Sequence, residues 1–84
     1  GIVAELRDAS REGRAADAGR SAHKLKSSAR TVGAFELADV SESIERAGQL
    51  GDADAVASLV GRLEALVAIV QGYVDSQQEA VWTT

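Results

Sequence analysis

Apolar residues recur at alternating steps of three and four along most of this 84-residue chain, and no proline interrupts them. At about 100° per residue, such spacing gathers them on one face of an α-helix. Abundant Ala, Glu, Arg and Leu favour the same conformation. The pattern falls into four runs. Ile2, Val3, Leu6 and Ala9 mark one face of a short first helix, with Glu5, Arg7 and Asp8 opposite. Gly13, beside Ser10-Arg11-Glu12, breaks it. The second helix is expected from about Arg14 to Val32, with a narrow seam of Ala15, Ala18, Ala22, Leu25, Ala29 and Val32. Gly33 follows, where a left-handed C-terminal residue is expected.

A third helix is expected from about Ala34 to Ala47, carrying Leu37, Val40, Ile44 and Ala47. Gly48 and Gly51 then bracket a short turn, and Asp52 is a good N-cap. The fourth and longest helix is expected from about Ala53 to Gln78. Val56, Leu59, Leu63, Leu66, Val70 and Tyr73 form its seam, widened by Val60, Val67 and Val74. Residues 79–84 read as a tail, in which Trp82 either caps the bundle or lies in a disordered terminus.

The expected fold is all-α: an antiparallel up-down four-helix bundle formed by residues 1–84 as a single domain. A helical hairpin completed by dimerisation is the alternative, disfavoured by four separate stripes in one chain. With only three aromatics, Phe35, Tyr73 and Trp82, the core must rest on Ala, Val, Leu and Ile. The chain opens on Gly1 and contains no methionine, so it reads as a piece excised from a larger protein.

Composition also excludes function classes. Without cysteine there are no disulfides or thiolate metal sites, and a single histidine rules out a multi-histidine zinc site. A net charge of −4 argues against a nucleic-acid-binding domain. No apolar run approaches the roughly 18 residues of a membrane span.

The lone histidine, His23, falls within the second helix, about 140° from the centre of the apolar stripe. It is therefore expected on the solvent side. Ala16, Gly19 and Ser27 fall within about 40° of it and Arg30 within about 20°, leaving a clearing of small side chains. On this reading Gly19 is small so that a partner can dock. Four cations, Arg20, Lys24, Lys26 and Arg30, invert the local charge of an acidic chain and favour an anionic ligand or acidic partner surface. A solvated cationic face is the plainer explanation for the cations alone. The conjunction of an exposed histidine, small neighbours and a lysine three positions later points further.

These residues resemble the histidine-containing phosphotransfer (HPt) domain of bacterial-type phosphorelays. The family pattern is similar to Ala-His-x-Leu-Lys-Gly-x-x-x-x-x-Gly-Ala, followed by Leu and later Leu-Glu on the next helix. Ala22, His23, Leu25, Lys26, Gly33, Ala34 and Leu37 match in register, Ile44-Glu45 stands for Leu-Glu, and Ser27 replaces the usual glycine. The resemblance covers the second and third helices; the fourth agrees in pattern only.

The resemblance implies that His23 accepts a phosphoryl group from a receiver-domain aspartyl phosphate, most naturally on Nε2, and passes it to another receiver aspartate. Lys26 would offset the phosphoryl charge. The docking surface would comprise Ala16, Gly19, Arg20, Lys24, Ser27, Arg30 and Gly33. No cofactor or metal is expected in this chain, since Mg²⁺ would sit on the partner receiver of a response regulator or hybrid sensor kinase. No membrane contact is expected, and the domain would be a cytoplasmic monomer, free-standing or part of a membrane-bound sensor kinase. No Gly-rich nucleotide loop is present, so the expectation is a phosphohistidine carrier without a kinase domain of its own. The alternatives are the phosphoacceptor domain of a chemotaxis-type kinase and a structural or adaptor bundle with an incidental histidine. The dimerising histidine-kinase helix usually has an acidic residue after its histidine and a proline five positions later; Lys24 and Ser28 stand there instead.

Overall fold

The computed structural model describes the backbone of residues 1–83 and the side chains of residues 1–69. Four helices follow one another: α1 (Ile2–Arg11), α2 (Ala15–Thr31), α3 (Phe35–Gln49) and α4 (Ala53–Thr83). Among the described residues there is no strand. Consecutive helices pack on one another, α2 on α3 most extensively, and α4 also meets α1. At about 1.5 Å per residue, the 31 residues of α4 account for most of the 50 Å long dimension.

The first three helices end in the same way. At Gly33, φ is +79°, a left-handed conformation that costs residues with a Cβ about 1–2 kcal/mol. Its N–H donates to the Arg30 carbonyl and the Ala34 N–H to that of Ala29, the paired bonds of a Schellman motif. Gly13 and Gly51 repeat the arrangement after α1 and α3. At the start of α4, Asp52 caps the helix, its Oδ1 accepting from the Ala55 N–H at 3.0 Å.

Burial follows the apolar stripes closely. Leu6 and Ala9 of α1, five of the predicted α2 positions, Val40, Ile44 and Ala47 of α3, and Val56, Val60 and Leu63 of α4 are buried. Ile2, Val3, Leu37, Leu59, Leu66 and Val67 pack partly buried against them. Ser41 is also fully buried; its hydroxyl donates to the Leu37 carbonyl at 2.8 Å, and among the described residues no buried side-chain polar atom is orphaned.

The departures are local. Val32 lies past the end of α2 and is 78% exposed, because the Gly33 ending stops the helix at Thr31 before the seam is complete. Gly48 is not a turn residue: α3 runs on to Gln49, and Gly48 is buried. Gly19 is likewise buried. A Cβ on Gly19 would lie 3.3 Å from the Glu45 carbonyl oxygen and from the Gly48 Cα. Its missing side chain therefore eases the close approach of α3. Helix α4 continues five residues beyond the expected Gln78. The side chains of Val70, Tyr73, Val74 and Trp82 lie outside the described residues.

Candidate functional site

The alanine- and glycine-rich face of α2 lets α3 approach closely, and His23 emerges beside that contact. Its side chain is 61% exposed, as the helical wheel requires. From α3, Glu45 reaches across to it: Oε1 lies 2.9 Å from His23 Nδ1. The other carboxylate oxygen, Oε2, accepts from Lys26 Nζ at 2.7 Å. One carboxylate thus ties together the two residues that the sequence singles out for chemistry.

The charge state of Glu45 follows from its partners. The hydrogen bond from the Lys26 ammonium holds its carboxyl below the ordinary value of 4.5; desolvation opposes this, and the contact with His23 adds to the lowering. An ionised carboxylate can only accept, so the bond at Nδ1 requires Nδ1–H as donor. A neutral imidazole with its proton on Nδ1 keeps its lone pair on Nε2. A ring in that form would offer its Nε2 lone pair with a carboxylate behind it, an arrangement suited to offsetting positive charge on the ring.

Beside the histidine runs an open groove of about 450 Å³. Ala16, Gly19 and Gly48 contribute small residues to its lining, together with Arg20, His23, Lys24, Glu45 and Gln49. Of the residues predicted to meet a partner, the groove gathers Ala16, Gly19, Arg20 and Lys24 around His23. Arg20 pairs with Asp17 one turn back. Among the described residues, Lys24 and Arg30 have no carboxylate within salt-bridge distance. Ser27, Arg30 and Gly33 are exposed but lie outside the groove. The Ser27 hydroxyl donates to the His23 carbonyl at 3.4 Å, a long bond within the helix.

Lys26 sits differently from the other cations. Its side chain is only 14% exposed and its ammonium is committed to Glu45. Glu45 itself is absent from the site expected from sequence. Its signal was present, an acidic residue directly after the core position Ile44, but no periodicity within one helix connects residue 45 with residue 23.

Among the described residues, no helix is long and apolar enough to cross a membrane, and no three acidic or histidine side chains cluster as a metal site. The site is thus an exposed imidazole on α2 with a carboxylate from α3 at its Nδ1. Residues 1–73 match the Hpt domain family, and the chain belongs to it. Membership implies phosphotransfer in two-component phosphorelays, with receiver domains as partners. No curated protein and no solved structure matches the chain.

Proposed function

We propose that His23 is the phosphoryl carrier of this domain, taking the group from a receiver aspartyl phosphate and delivering it to a second receiver aspartate. The hydrogen bond between His23 Nδ1 and Glu45 carries this reading, because it leaves Nε2 unprotonated on an exposed ring. The Nε2 lone pair forms the new N–P bond as the P–O bond to the donor aspartate breaks, and that electron pair leaves with the aspartate carboxylate. The Nδ1 proton stays between the ring and Glu45 throughout, and the carboxylate offsets the positive charge on the phosphorylated ring. Transfer onward reverses these events with a new aspartate as nucleophile.

Lys26 serves this step by fixing Glu45 and adding positive charge near the phosphoryl group. Ala16 and Gly19 keep the approach low, while Arg20, Lys24 and Arg30 steer an acidic receiver surface. Ser27 and Gly33 complete the docking face. Mg²⁺ belongs to the receiver in this scheme, and the carrier is a cytoplasmic monomer. The bundle is an antiparallel up-down arrangement. Supporting this, residue numbers climb along α2 as they fall along α3, from Gly19 beside Gly48 to Lys26 beside Glu45.

The test is to incubate the chain with a phosphorylated receiver and Mg²⁺ and look for acid-labile, alkali-stable label. Label is expected on the wild type and absent from His23→Gln. Label that persists in His23→Gln, or none from any receiver of the same genome, would sink the proposal.

A further inference from the structure

The residues that hold α2 against α3 lie one turn from the pair that sets the histidine. Gly48 is the tightest point. A Cβ placed there would come within 2.6 Å of the Ala15 carbonyl oxygen, 2.8 Å of the Gly19 Cα and 3.0 Å of the Gly19 nitrogen. All three are backbone atoms, so no side chain can swing aside; α3 must move away from α2. Gly19 is the same contact seen from the other helix, with 3.3 Å clearances that are tight but less prohibitive.

His23 is four residues, about one helical turn, from Gly19, and Glu45 is three residues from Gly48. Their 2.9 Å hydrogen bond is therefore the neighbouring rung of the same helix contact. A hydrogen bond of that length tolerates little lengthening, and by about 3.6 Å it is lost. We infer that Gly48, with Gly19 opposite, is a positioning residue for the phosphoryl acceptor. By fixing how closely α3 approaches α2, the pair keeps Glu45 on His23 Nδ1 and so keeps the lone pair on Nε2. Lys26 strengthens this coupling, since its bond to Glu45 Oε2 restrains the carboxylate from simply following a displaced ring. Neither glycine touches the reacting atoms.

This inference rests on His23 as acceptor, but its first readout needs no phosphoryl transfer. Because the chain has one histidine, ¹⁵N spectra of the imidazole report a single ring, and the two nitrogens distinguish its tautomers. The second readout is the rate at which the chain takes label from phosphoramidate, a small donor that bypasses docking: the N–P bond forms at Nε2 while the donor's P–N bond breaks and ammonia leaves.

Gly48→Ala is expected to move the ring toward the Nε2–H tautomer and slow labelling by about tenfold or more, as for other small displacements of a reacting group. Gly19→Ala should shift both readouts in the same direction but less. Gly61→Ala is the control, an exposed α4 position where a Cβ meets nothing within 4 Å, and should leave both unchanged. If Gly48→Ala does not fold by circular dichroism, Gly19→Ala decides. A folded variant of the pair with wild-type tautomer and wild-type rate overturns the positioning role. A wild type that takes no label from phosphorylated receivers instead overturns the acceptor reading, whatever the spectra show.

Discussion

Glu45 Oε1 lies 2.9 Å from His23 Nδ1, although the two residues are 22 positions apart and belong to different helices. In the neutral ring this one contact favours the proton on Nδ1 and the lone pair on Nε2. Replacing Glu45 with Gln removes the negative charge behind the ring while nearly preserving shape. Orienting partners of catalytic imidazoles contribute substantially, so transfer from a phosphorylated receiver should slow by about tenfold to a hundredfold. Single-turnover kinetics would measure it; a rate within twofold of wild type, an approximate threshold, would remove Glu45 from the mechanism.

Lys26→Ala should also slow transfer, with the helical content unchanged. The ammonium is bonded to Glu45 at 2.7 Å, so its loss frees the carboxylate and removes a nearby positive charge. Combined with Glu45→Gln, the effect should be clearly less than additive, because both changes act on one network. Additive losses would instead place Lys26 on the phosphoryl group independently of Glu45.

The lowered Glu45 pKa makes a signed prediction about acid stability. A carboxyl whose pKa falls on folding favours the native state above its unfolded pKa. That contribution is complete above the ordinary value of 4.5 and disappears as pH drops through the lower folded value. The stability difference between wild type and Glu45→Gln should therefore shrink as pH falls below 4.5. Thermal melts at a series of pH values would show it; a difference that grows with acidification contradicts the assignment.

Ile44 and Val32 provide a contrast between two apolar residues of similar standing in the sequence. Ile44 is fully buried, and Ile44→Ala should cost about 2–5 kcal/mol. Val32, 78% exposed beyond the end of α2, should tolerate Val32→Ala within about 0.5 kcal/mol. Urea unfolding would read both values, and a large loss at Val32 would return it to the core.

Much of the fold was legible because its determinants are local. Apolar residues three and four apart must share a helical face, and Gly33 marks a helix end because its left-handed φ penalises other residues. The same periodicity put His23 on the solvent side, since direction around one helix is arithmetic. Val32 departs for a related reason: its spacing continues the seam, but the Schellman ending takes it off the helix.

What sequence by itself determined, then, was the set of helices, the faces they bury and the exposure of the lone histidine. Only the tertiary structure decided what stands behind that histidine. The positions of Glu45 relative to His23, and of Gly48 relative to Gly19, depend on the distance and register between two helices. No property of either helix alone fixes these; they come from how closely two backbones can pack where both lack a side chain.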